Sequence, residues 1–208
     1  MVMSQALEDL KQEHDAVLFA LDILERMVAR VDAGQPVDPQ QVGSLLAFLH
    51  EFADTCHHGK EEGLLMPALL DAGIARDAEP LRRMLDEHAR GRELVQRMRA
   101  AALPMLRGPA FTAAARAYAA LLRGHIAHEH EVLFPLAEAR LSTAQLDNLF
   151  DAFAIHESEV IGPGRHEALH EMLGELGEKY ASAATRAAPA HPSSAGTDSR
   201  ARGQPSVW

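Results

Sequence analysis

The chain has 208 residues, enough for one domain of roughly 150–180 residues and a tail. Apolar residues make up 47% and aromatics 5%, Ala and Leu dominate, and runs of Val, Ile, Thr and aromatics are missing, which predicts an all-α protein. The net charge is −10, and residues 1–180 carry −12, because residues 181–208 hold Arg186, Arg200 and Arg202 against Asp198 alone; an acidic body without a basic stripe argues against nucleic acid and anionic membrane as partners.

Met1–Leu10 contains Glu8 and Asp9 and no apolar segment of a secretory signal, so a cytoplasmic location is expected. A first helix is predicted from near Ser4, with Leu7, Leu10, Val17, Leu18, Leu21 and Leu24 at helical spacing, ending before Gly34-Gln35-Pro36. Asp38 and Pro39 open a second, which carries Val42, Leu45, Leu46, Leu49 and Phe52 and runs to Pro67 or Leu70. A third starts at Glu79-Pro80, carries Leu81, Met84, Leu85, Leu94, Val95 and Met98, and closes at Pro104 and Gly108-Pro109. The fourth spans Phe111 to Arg140, with Leu121, Leu122 and Leu133 on its packing face. Ser142 or Thr143 caps a fifth, interrupted at Gly162-Pro163-Gly164 and resumed to Tyr180, so that 143–180 extends a domain spanning 1–180. Ala, Pro, Ser and Gly dominate 181–208, which reads as a disordered tail. The apolar runs are too short to cross a bilayer, and the single Cys56 excludes an intrachain disulfide.

Aligning the second and fourth helices exposes an internal repeat. His57-x3-Glu61-x5-Pro67 matches His125-x3-Glu129-x5-Pro135 at an offset of 68, with Leu65 on Leu133 and Met66 on Phe134. The preceding helices align at an offset of 74, which places Leu7, Leu10, Glu13, His14 and Leu21 on Leu81, Met84, Glu87, His88 and Val95. The organisation is a duplicated helical hairpin, with pseudo-two-fold symmetry.

Residues four apart share a helix face, so His57 with Glu61 and His125 with Glu129 each aim an imidazole and a carboxylate at one point. His14 and His88 share their faces with Leu7, Leu10 and Leu21, and with Leu81, Met84 and Val95, so all four stripes meet in the core. Burying these groups without partners costs several kcal/mol per charge, which a metal pair relieves. Nitrogen and carboxylate donors without thiolate suit iron or manganese better than structural zinc. Two glutamates from opposite hairpins can bridge two ions, with two histidines on each.

The order His14, His57-x3-Glu61, His88, His125-x3-Glu129 resembles that of the hemerythrin-like (HHE cation-binding) proteins. The strings CHHGKEEGLLMPAL (56–69) and LLRGHIAHEHEVLFPLAEARL (121–141) are similar to its two signature segments, and the resemblance covers about residues 5–180. It implies an up-down-up-down four-helix bundle holding two non-haem iron ions, oxo- or hydroxo-bridged, with manganese or zinc as lesser alternatives. The implied ligands are His14, His57, Glu61, His88, His125 and Glu129. The oxygen carriers of the family have a fifth histidine one turn from the third-helix ligand, whereas Met84 and Arg92 stand there in this chain. The expected function is therefore di-iron binding that reacts with or senses O2, peroxide or nitric oxide. Iron storage or delivery, or reversible O2 carriage without turnover, is the alternative. If it is an enzyme, the resemblance implies peroxidase- or catalase-like or nitric-oxide chemistry on a small diatomic or peroxide ligand.

His50 and Tyr118 occupy matching positions, seven residues before His57 and His125 and about 10 Å along the axis, and are candidates to line a pocket above the metals. His58 and Glu62 lie about 100° round from His57 and Glu61; His58 is a pocket candidate or an extra ligand if the helix rotates, the plainer expectation being solvent or an interhelical contact. His128 and His130 read as outer-face residues, and Cys56 as an apolar filler. His166-Glu167-Ala168-Leu169-His170 formally matches a zinc-protease string, but a third ligand and a substrate cleft are wanting, so an amphipathic helix covering one end of the bundle is expected. Alternatively, His156, Glu159 or His170 reaches the pocket as a lid.

Overall fold

The computed structural model describes residues 4–102 and 106–180, so Pro104 and the tail predicted over 181–208 lie outside the described residues. Six helical rods make up the described chain, with no strand among the described residues. α1 is Gln5–Asp32; α2 runs over 39–71; α3 is Glu79–Ala102; α4 runs over 108–140; α5 is Thr143–Val160 and α6 is Arg165–Tyr180. The expected starts hold for local reasons. The Ser4 hydroxyl accepts from the Leu7 amide, the Asp38 carboxylate from the Gln40 amide ahead of Pro39, and Ser142 and Gln145 form a reciprocal capping box. α1 stops where Gly34 adopts φ +66°.

α1 packs on α4, α3 on α4, α2 on α3 and α1 on α2, which is the four-cornered up-down-up-down arrangement. The core is split. One apolar cluster joins Val17, Leu21 and Leu24 of α1 to Leu45, Phe48, Phe52, Met98, Phe111 and Leu122. A second joins Leu7 and Leu10 to Leu65, Leu69, Leu81, Met84, Leu133 and Phe134. Between them lies a buried polar layer that contains His14, His57, Glu61, His88, His125 and Glu129.

α2 runs on to Asp71, past Pro67, and α4 runs past Pro135. A proline inside a helix removes an N–H and crowds the carbonyl four residues back. Here the turn before each proline widens to π-helix, over Glu61–Leu65 and Glu129–Leu133, and the Met66 and Phe134 amides donate five residues back, to the carbonyls of Glu61 and Glu129. α2 has in addition a longer π-helical stretch, Leu49–His58, without a counterpart in α4. Wide turns of this kind concentrate at functional sites, and both glutamates of the repeat begin one.

α5 and α6 pack along α1 and α2, so the C-terminal extension covers a side of the bundle rather than the expected end. Leu169, Leu173, Leu176 and Tyr180 of α6 enter the first apolar cluster, while Leu146, Leu149 and Phe153 of α5 enter the second. The break between α5 and α6 contains Gly162 at φ +82°. Gly162→Ala should lower the stability of the folded chain by about 1–2 kcal/mol, the cost of a Cβ in the left-handed region, measured by urea denaturation.

Candidate metal centre

The polar layer brings together all six residues that the repeat singles out, each at most 2% exposed. The Nε2 atoms of His14 and His57 lie 2.9 Å apart, and those of His88 and His125 3.1 Å apart. The two glutamates lie between these pairs. Glu61 places Oε1 3.6 Å from His57 Nε2 and Oε2 3.4 Å from His88 Nε2. Glu129 places Oε2 3.1 Å from His14 Nε2 and Oε1 3.1 Å from His125 Nε2. Each carboxylate thus offers one oxygen to the histidines of each half.

Partners behind the imidazoles fix the rings. Nδ1 of His57 meets Glu13 at 2.8 Å, Nδ1 of His88 meets Glu62 at 2.8 Å, and Nδ1 of His125 meets Glu87 at 3.0 Å. An ionised carboxylate only accepts, so Nδ1 carries a proton in these three rings and Nε2 is the atom turned inward. His14 Nδ1 meets His130 Nε2 at 2.8 Å, so His130 is not the outer-face residue expected but a partner of the centre. These partners follow the repeat, since Glu13 and Glu87 are separated by the 74-residue offset and Glu62 and His130 by the 68-residue one. The alignment of Glu13 with Glu87 was a signal for the first pair. Nothing in helical periodicity marked Glu62 and His130, which lie beside rather than on the inward face.

The donor set fits metal. All four carboxylate oxygens of Glu61 and Glu129 are buried and make no hydrogen bond among the described residues. The 3.1 Å approaches of Glu129 have ion-pair distances without hydrogen-bond directionality. Donor atoms at right angles, about 2.1 Å from a shared ion, stand about 3 Å apart, so the spacings suit ligands awaiting a cation. Without one, burial and the neighbouring Glu129 push Glu61 up, whereas Glu129 is held well below the usual carboxylate range, against its burial, by His125 and His14. Burial drives His57 well below the usual imidazole range; His125, against burial, is pushed up to about 10 by Glu129. The hydrogen bond from His88, then Arg92, against the cost of burial, bring Glu62 down to about 2.

A family model described as the Hemerythrin HHE cation binding domain matches residues 5–137. The chain belongs to the hemerythrin HHE family. No curated protein and no solved structure matches it. The HHE match spans the whole polar layer and stops before α5, so α5 and α6 stand outside the matched part. The bundle is the fold that the resemblance implied. No helix among the described residues is long and apolar enough to cross a membrane.

Of the alternatives for His58, the structure shows an interhelical contact and not solvent: it is 4% exposed, its ring stacks on that of His88 at 3.8 Å between centroids, and burial pushes it down to about 4. The wide winding of Leu49–His58 explains this, because fewer degrees per residue let His57 and His58 both point inward. Tyr118 is buried and lines, with His58, His50, Asp54, Gly91, Arg92 and others, a cavity of about 210 Å³; His50 sits at its exposed rim. Cys56 is fully buried, with its thiol pushed up to about 12 by burial, as befits a filler. His166 and His170 pack on Phe52, and His166 comes near Glu157 and Glu13. Both Glu13 oxygens are taken there, one by His57 and one by Lys60 at 2.7 Å.

Lys60, like Glu62 and His130, is not marked by helical periodicity. Its fully buried ammonium lies 2.7 Å from Glu13 and 3.0 Å from Asp9, and 5.3 Å from the centre of the Phe153 ring. It neutralises the carboxylate that orients His57. Lys60→Met should destabilise the metal-free chain by about 3–5 kcal/mol, because it leaves the buried Glu13 charge without its cation; chemical denaturation tests this, and Lys60→Met with Glu13→Gln should recover part of the loss.

Proposed function

We propose that this HHE protein is a non-haem di-iron protein that reacts with or senses a small oxidant or gas: O2, peroxide or nitric oxide. The observation that carries the reading is the pair of buried glutamates whose four oxygens lack hydrogen bonds and face histidines of both halves. On this reading His14 and His57 would hold one ion and His88 and His125 the other, with Glu61 and Glu129 as the carboxylate donors between them. The nitrogen-and-oxygen donor set without thiolate favours iron, with manganese or zinc as competitors. When bound, a ferrous pair supplies electrons to a small ligand.

The chain's own residues do the rest. Glu13, Glu62 and Glu87 orient the imidazoles and raise their basicity as donors. Lys60 and Arg92 offset the negative charge around them, Lys60 on Glu13 and Arg92 on Asp54 and Glu62. The two apolar clusters above and below exclude water, and the cavity lined by Tyr118 and His50 gives a small molecule a way in. Enclosure of all six donors at 2% exposure or less favours a reactive or sensing centre over a store that must release iron readily.

Metal analysis of anaerobically purified chain should give two irons per chain, with near-ultraviolet and visible charge-transfer absorption appearing after O2 or peroxide. Zinc alone, with no such bands after aerobic iron loading, would falsify the di-iron assignment. Glu61→Gln should act with opposite signs. It lowers iron occupancy, yet raises the melting temperature of the metal-free chain, because one of two unsolvated carboxylates becomes neutral. Calorimetry of both forms checks the pair of signs.

A further inference from the structure

The two halves of the centre match residue for residue in their donors and position for position in the partners behind them, where Glu62 stands opposite His130; the inward-facing positions beside the donors differ at one place. Position 58 is histidine, and its counterpart at the 68-residue offset is Ile126. Ile126 is buried and belongs to the first apolar cluster. His58 instead groups with Glu61, His88 and His125, with one donor atom of each within 4.8 Å of the others. We propose that His58 is a fifth imidazole ligand, given to the metal of His88 and His125 and to that metal only, so that the two metal positions are unequal.

Several independent features carry this. The π-helical stretch Leu49–His58 ends on His58 and has no equivalent in α4, so the backbone irregularity and the extra imidazole occur together. The other four histidines each have Nδ1 engaged by a partner behind them. His58 Nδ1 is buried and makes no hydrogen bond; Asp54 lies 3.6 Å away, an ion-pair contact too long for one. Asp54 is itself held by Arg92 at 2.7 Å. The ring also lines the cavity of about 210 Å³, which leaves it room to turn from its stack on His88 toward a cation. An uncommitted imidazole at a polar cluster, brought there by a costly winding, is what a ligand requires and what a packing residue does not, since Ile126 fills the same place in the twin hairpin.

This inference rests on the dinuclear reading, and a titration separates the two. Cobalt(II) is added to metal-depleted full-length chain and followed by calorimetry and by its visible absorption. The wild type should take up two ions in separate steps at least about tenfold apart in affinity, given that even outer partners of metal ligands change affinity 10–100-fold. His58→Ile copies the twin hairpin and should merge the steps; His58→Gln, which keeps a polar side chain, should do the same. In proton NMR of the cobalt form, the exchangeable ring N–H signals shifted by the metal should fall from five to four in either variant. Unchanged steps and five signals in a variant with native circular dichroism would overturn the assignment of His58. Fewer than two cobalt ions on the wild type would instead overturn the dinuclear reading, and this inference with it, before any variant is made.

Discussion

The structure depends on a layer of ionisable side chains set across the middle of an otherwise apolar bundle. Four imidazoles and two carboxylates occupy a level that Leu and Phe fill immediately above and below. Hydrophobic burial alone would not hold them there, because each unpaired buried charge costs several kcal/mol. Compensation is layered. The imidazoles are hydrogen-bonded outward to Glu13, Glu62, Glu87 and His130, and these acids are in turn met by Lys60, Arg92 and Arg83. Inside the layer the four oxygens of Glu61 and Glu129 make no hydrogen bond among the described residues, and the Nε2 atoms opposite them hydrogen-bond only with each other, His14 with His57 and His88 with His125.

The backbone is shaped by the same demand. Pro67 and Pro135 force a wide turn at the start of which each glutamate sits, so the motif and its proline act together. The wider winding changes the angle between each glutamate and the next turn of its helix, and in α2 the additional stretch brings two consecutive histidines to the interior. Symmetry between the hairpins therefore covers the donors and their outer partners but not the winding of α2. The C-terminal helices add a further asymmetry. α5 and α6 cover only the α1–α2 side, where Phe153 lies over Lys60 and His166 lies near Glu13. The opposite hairpin has no such cover among the described residues, and its side of α2 and α3 carries the cavity with Tyr118, Arg92 and His50.

The sequence by itself determined the helices, their caps, the duplication and the six inward donors, since each is a matter of spacing along one rod. Ser4, Asp38 and Ser142 act on amides two or three residues away, and His57 and Glu61 share a face whatever packs opposite. Tertiary structure decided the contacts between rods. Lys60 and Glu62 stand off the inward stripe by helical periodicity, and their roles come from Glu13 on α1 and His88 on α3, far away in sequence. His130 looks outward by periodicity alone, and it is α1 that places His14 against it. For His58 the sequence offered a pocket position, solvent or an interhelical contact without deciding among them: an angle of 100° per residue does not hold where the chain is π-helical, and no propensity marks Leu49–His58 as such. Local spacing fixes which side chains can converge on a metal layer; only the packing of helices, and the backbone winding that packing stabilises, fixes how many do.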